Sequence, residues 1–302
     1  MRKILCAVLG VWFCFSTAAY AMTSTNYMVE FDSLNSGGTD WSSSTNYQMN
    51  DTLGEQATGF STSTNYTLHA GYRQSDEYSM LSFNVGAQET STKIAYTAIN
   101  LSSPYSVTVN SVANYSTGSR IVVVENLGLN QKLVVGRIIS ILGTVLTVDK
   151  WDGDTGTMSP APAGGDDFAY RAEGTHVQFG SISPAVGATS EVQTEVTTNA
   201  STGYTVQVYS DGYFDSGSHI IPNVNDGSIA GDAEEYGASV TGLRSVGSGS
   251  DFAVTTTQTL IQTYSAPATN DRIGMNYKLF ITYATQPGSY TQNVTYLLTA
   301  NF

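Results

Sequence analysis

The sequence predicts an all-β protein: an antiparallel β-sandwich with an inserted small β-barrel and an N-terminal β-repeat segment. Three observations predict it. Late in the chain, apolar and polar residues alternate at period 2, as they do along strands with one buried face. In the middle, short Val/Ile-rich runs are punctuated by glycines, the signature of several short strands. Past the first 21 residues, no long segment spaces its apolar residues at the 3.6 period of a helix; at most Ala233 to Tyr236 makes one helical turn.

The chain opens with Arg2 and Lys3, an apolar run from Ile4 to Phe15, and Ala19-Tyr20-Ala21. A short positive region, an apolar stretch too short to span a bilayer and a small-x-small site occur in the order of an export signal. Residues 1–21 are therefore expected to be removed, leaving a mature chain from Met22. Both cysteines, Cys6 and Cys14, fall inside this signal. The mature chain then has no disulfide framework, thiol nucleophile or cysteine metal site. No later stretch approaches the ~20 apolar residues of a transmembrane helix.

Residues 22–75 form the repeat segment. Ser24-Thr25-Asn26-Tyr27 recurs as Ser44-Thr45-Asn46-Tyr47 and Ser63-Thr64-Asn65-Tyr66. Each Tyr starts a short alternation: Tyr27, Val29, Phe31; Tyr47, Met49; Tyr66, Leu68, Ala70, Tyr72. Gly37-Gly38 and Gly59 supply the breaks. Ser75-Asp76-Glu77 marks a boundary.

The sandwich is expected over 76–100 and 175–302. Tyr78 to Val85 reads as a strand. Val192–Thr197 and Tyr204–Tyr209 flank Asn199-Ala200-Ser201-Thr202-Gly203, which reads as a hairpin loop. Tyr277, Leu279, Ile281 and Tyr283 alternate; Gln286-Pro287-Gly288-Ser289 turns the chain; Val294, Tyr296, Leu298, Ala300 and Phe302 alternate again. Between these pieces, Tyr105–Val109, Arg120–Val124, Lys132–Leu142 and Thr144–Val148 are short strands broken at Gly118, Gly128, Gly136 and Gly143. So many short strands in so few residues suggest a small closed barrel over 101–174, inserted in a loop of the sandwich. Two consecutive sandwiches are the alternative.

Two resemblances add to this reading. Tyr47-Gln48-Met49-Asn50-Asp51-Thr52-Leu53-Gly54-Glu55, then Gly59, then Tyr66-Thr67-Leu68-His69-Ala70-Gly71-Tyr72, resembles a segment common in secreted bacterial proteins. It implies export and no assigned chemistry. Phe179-Gly180-Ser181-Ile182-Ser183-Pro184, Thr197 to Tyr204, and Pro287-Gly288-Ser289-Tyr290-Thr291 with Val294-Thr295-Tyr296 resemble the β-sandwich domains of bacterial surface proteins of the WxL kind. That resemblance implies a cell-surface location. The Trp-x-Leu motifs that mark the family, and with them its peptidoglycan binding, have no counterpart, because no Trp follows Trp151.

Charge narrows the function. Acids outnumber bases 25 to 12, for a formal charge of −13, and signal cleavage would take this to −15. Binding nucleic acid by phosphate neutralisation needs a basic face, and this composition excludes it. The three histidines, His69, His176 and His219, lack the spacing of a zinc site. No Gly-x-Ser-x-Gly elbow occurs. Asp166-Asp167 and Glu234-Glu235 are glycosidase carboxylates by type only, since neighbours on a strand face opposite ways. Asp149, Asp152 and Asp154 gather three carboxylates beside Gly153, a pattern that suits weak extracellular calcium, although Asp and Gly are favoured in a solvated hairpin turn in any case. Asp211 to Glu235, with Asp215, Asp226 and Asp232, is a second acidic loop. Trp151, beside the first of these loops, is a candidate sugar-stacking residue or a barrel residue.

The sequence thus points to an exported, non-catalytic structural or adhesive protein of the bacterial surface. It is expected to be self-assembling, with other surface subunits or envelope polysaccharide as partners and no nucleic acid. A carbohydrate-binding protein, an outer-membrane-associated β protein and a polysaccharide-acting enzyme are the alternatives. The last run, Val294 to Phe302, resembles the closing strand of an outer-membrane barrel, but the ~10-residue amphipathic strands such a barrel needs are missing from the middle of the chain.

Overall fold

The computed structural model describes residues 79–302, except 163 and 301, and the backbone of four strands between 37 and 70. The expected signal (1–21) and the three Ser-Thr-Asn-Tyr repeats lie outside the described residues. The chain divides into two units, Met1–Tyr78 and Ser79–Phe302. In the first, β1 (Gly37–Ser43) pairs antiparallel with β2 (Gln48–Leu53), and β3 (Gly59–Thr62) with β4 (Thr67–Ala70).

The second unit begins with β5 (Leu81–Gln88) and a 3-10 turn at Thr90–Thr92. Then come β6 (Ile94–Asn100), β7 (Ser106–Val109), β8 (Arg120–Glu125), β9 (Lys132–Leu142), β10 (Val145–Val148), β11 (Asp152–Gly153) and β12 (Phe168–Gly174). Six of these close a ring: β12 pairs with β8, β8 with β9, β9 with β10, β10 with β7, β7 with β6, and β6 again with β12. Every pairing is antiparallel, so the middle of the chain is a small closed barrel. Its interior holds Tyr96, Ile99, Val107, Ile121, Val123, Val134, Ile138, Leu146 and Trp151. The ring includes Ile94–Asn100, which the sequence reading placed with the sandwich. That strand, Ile-Ala-Tyr-Thr-Ala-Ile-Asn, lacks the Val/Ile runs and glycine breaks that mark the barrel segment in the sequence.

The remaining strands are β13 (Gly187–Thr198), β14 (Tyr204–Ser210), β15 (Phe214–Asp215), β16 (Ile220–Ile221), β17 (Glu235–Thr241), β18 (Thr259–Tyr264), β19 (Ala268–Phe280) and β20 (Val294–Ala300). One sheet runs β5-β13-β19-β17 and the facing sheet β18-β14-β20. Between them lie Val192, Val196, Tyr204, Val206, Val208, Tyr236, Ala238, Val240, Ile261, Ile273, Met275, Tyr277 and Leu279. This is an antiparallel sandwich, and the fold is all-β as the alternation required.

Two local expectations are corrected. Asn199–Gly203 is not a hairpin loop: β13 pairs with β5 and β19, and β14 with β18 and β20, so the loop crosses from one sheet to the other. Two alternating strands around a short Gly-ended loop look alike in sequence whether they pair or face each other. Ala233–Tyr236 forms no helical turn; Glu235 already begins β17.

The barrel rests on the outer face of the four-stranded sheet. In β8, Ile121 and Val123 point into the barrel, while Val122 and Val124 point out and join Leu133, Val135, Tyr170 and Ala172 in a second cluster. A wall buried on both faces explains why this segment reads as a continuous apolar run rather than an alternation. On the sheet below, a Cβ at Gly274 would lie 2.1 Å from Leu133 Cδ1. Only glycine lets the wall approach that closely. Gly274→Ala is therefore expected to cost about 1–3 kcal/mol by overpacking. In urea titrations, Gly274→Ala combined with Leu133→Val should lose less than the two single changes added together.

Candidate functional site

The 149–154 turn sits at the seam between barrel and sandwich. Gly153 makes this possible: at φ +126°, it lies so close to β9 that a Cβ would meet the Leu133 carbonyl at 2.4 Å. The three aspartates go to three different places. Asp149 accepts Arg272 Nη1 and Nη2 at 3.0 and 2.6 Å, and the backbone N–H groups of Arg137 and Lys150. Asp152 is buried and pairs with Lys150 Nζ at 2.9 Å. Burial holds its carboxyl above the ordinary range despite that lysine. Asp154 accepts the Leu133 N–H through one oxygen and the Thr241 hydroxyl through the other. Among the described residues, no three acidic, histidine or cysteine side chains gather around one point as a calcium ion would need. The geometry makes the turn a joint between the two bodies.

Trp151 is 5% exposed and closes the barrel interior against Gly136. Its indole N–H donates to the Asn100 carbonyl at 3.0 Å. It therefore presents no ring face to a sugar, and the stacking role is corrected to a core role. Of the paired carboxylates, Asp167 is buried and accepts the N–H groups of Asn126 and Gly164, while Asp166 is exposed. Glu234 pairs with His219 at 2.9 Å.

Sequence reasoning missed the polar face beneath the barrel. Strand β13 sends Glu191, Gln193 and Glu195 outward, and β19 sends Arg272, Asn276 and Lys278 the same way. All but Lys278 are buried. Arg272, fully buried, takes Glu195 on Nε at 2.5 Å and Asp149 on its terminal nitrogens. Burial pulls its pKa down, and the two carboxylates more than offset this, leaving the guanidinium raised. Burial pushes the Glu191 carboxyl up to about 7, although Gln131 donates to it. Buried oxygens or nitrogens of Gln88, Glu191, Gln193 and Asn276 have no partner in the protein.

At one end this seam opens into a polar pocket of about 260 Å³. The barrel contributes Asn130, Gln131 and Asp154 to its lining. Strands β17 and β19 contribute Ser239, Thr241, Asn276 and Lys278. Gly247 to Ser250, legible in the sequence only as a Gly/Ser loop, forms part of the rim with Ser248 and Gly249.

The two sides of the sandwich differ. On one, loops close the outer strands. Ala238 of β17 exchanges backbone hydrogen bonds with Phe252, and Tyr236 N–H donates to the Pro222 carbonyl. Beside β18, Val246 N–H donates to Ile261 and Thr263 N–H to Arg244. On the other side, β20 has a ladder partner only in β14, and the Leu81–Val85 part of β5 only in β13. Strands β5 and β20 lie close to each other there. Among the described residues, no loop backbone hydrogen-bonds to Leu81–Val85 or to β20. Neither strand carries a charged residue. Met80, Leu81, Val85, Leu297 and Phe302 are exposed along or beside them.

No protein-family model, curated protein or solved structure matches the chain. Among the described residues, no helix is long and apolar enough to cross a membrane.

Proposed function

We propose that the protein is an exported, non-catalytic surface protein with a structural or adhesive role, and that copies of it associate through the β5–β20 side of the sandwich. The pair of edges that no described loop hydrogen-bonds carries the reading. Open strand edges recruit further strands, and proteins that stay monomeric blunt theirs with charge, proline or a covering loop. This molecule covers its β17–β18 side with loops and leaves the β5–β20 side uncharged. The chain is strongly acidic, so two copies repel each other over most of their surface. A charge-free edge is where they can meet. The N-terminal export pattern and the resemblance to bacterial surface proteins support the location.

The test is the assembly state of the mature chain by light scattering on a sizing column. The expected result is association that grows with concentration, and monomers for the double variant Val85→Lys/Leu297→Lys. Both positions are exposed, so the variant should keep the circular dichroism spectrum of the parent. A mature chain that is monomeric throughout, or a folded double-lysine variant that assembles as the parent does, rejects the association.

A further inference from the structure

The polar pocket at the seam has a composition that selects its ligand. Lys278 is its one cation, and Asp251 holds it at 2.8 Å. The other oxygen of Asp251 accepts the Ile229 N–H at 2.7 Å. Asp154 spends one lone pair of each oxygen on Leu133 N–H and Thr241 OH, which leaves each oxygen able to accept once more. The lining therefore carries two carboxylates and one ammonium. An anion would meet those carboxylates, and a cation would meet Lys278. A neutral ligand meets neither penalty.

Most of the remaining lining is hydroxyl and amide, with Asn130, Gln131, Ser228, Ser239, Thr241 and Ser248 beside the apolar Leu133 and Val240. No aromatic ring is present, so the ligand is held by hydrogen bonds around its rim rather than by stacking. Asn276 is 3% exposed and forms part of the pocket wall. The volume lies below the ~300–1,000 Å³ of sites for drug-sized ligands, which fits one ring rather than a chain. The rim is a fixed structure. Gly227 and Gly249 turn sharply at φ +84° and +90°, and the Asp251 N–H ties its loop to the Gly227 carbonyl at 2.9 Å.

We infer that this pocket binds a single neutral saccharide unit, such as the end residue of an envelope or surface polysaccharide. Its hydroxyls would donate to the free lone pairs of Asp154 and accept from Lys278. The inference stands apart from edge association, which uses the side of the sandwich formed by β5 and β20.

Saturation-transfer NMR on the mature chain tests it, with glucose, galactose and N-acetylglucosamine as neutral probes and glucuronate and glucosamine as charged ones. At least one neutral sugar should bind, and more tightly than either charged sugar. Ser248→Trp changes an exposed rim residue, so it leaves the core intact and should block the pocket. The inference is overturned if no neutral sugar gives a signal, if a charged sugar binds better, or if folded Ser248→Trp binds as the parent does.

Discussion

Replacing Arg272 by Met should destabilise the protein by about 3–5 kcal/mol, the usual cost of removing one partner from a buried ion pair. Arg272 is fully buried on β19 and joins Glu195 of the sandwich to Asp149 of the barrel turn. Without it, Glu195 keeps only Arg137 at 3.8 Å, and its buried carboxylate is left close to that of Asp149. Asp149 suffers less, because the N–H groups of Arg137 and Lys150 still bond to it. The damage should therefore be reversible by removing the charges left behind. The triple variant Arg272→Met/Glu195→Leu/Asp149→Asn should recover most of the loss, because apolar replacement of a whole buried charge cluster is often neutral. Urea denaturation of the parent, single and triple variants measures this. A single variant within about 1 kcal/mol of the parent, the worth of an exposed pair, would falsify the joint.

The same residues show what was legible in the sequence. Periodicity reported the sandwich strands because their inner faces alternate: Val192, Val196, Ile273, Met275 and Tyr277 all reach the shared core. It reported the barrel through the doubly buried Val/Ile runs of β8 and β9. An alternating strand tells which residues face away from one core. It does not tell whether something else covers them. Glu191, Gln193, Glu195 and Arg272 carry no sequence signal of burial, and the barrel buries them. The start of β19 was missed for the same reason, since Asp271, Arg272 and Asn276 break the apolar look of a strand that extends from Ala268. In the sequence Asp149, Asp152 and Asp154 show only as clustered carboxylates, because partners of two of them, Arg272 for Asp149 and Thr241 for Asp154, lie far along the chain. The pocket is not legible in the sequence because its lining comes from six separated stretches, of which only the turn ending at Asp154, the acidic loop around Asp226 and the Gly247–Ser250 loop stand out.

Glu191 should make the protein lose stability as pH rises from about 4.5 to 7. Its side chain is buried beneath the barrel, beside Gln131, with one oxygen lacking a partner. Across the strands it faces Gln88 and Asn276, and beyond them Lys93 favours its charge while Tyr170 lies near it. Burial outweighs these and lifts its pKa from 4.5 to about 7. Between those values the folded chain keeps a proton that the unfolded chain has released. Stability then falls as pH rises, and the loss is complete above the folded value. At 1.36 kcal/mol per unit, the whole effect is about 3 kcal/mol, an upper figure for a group that can recruit water. Glu191→Gln keeps an oxygen for Gln131 and cannot ionise. It should match the parent near pH 4, exceed it by about 2–3 kcal/mol at pH 8, and remove this part of the pH slope. Other carboxylates titrate in the acid range in both proteins, so the difference between the two curves is the quantity to follow. Denaturation midpoints at one-unit steps from pH 4 to pH 8 decide it: parallel curves would mean that Glu191 is ionised in the fold, with a counter-charge or water that offsets its burial.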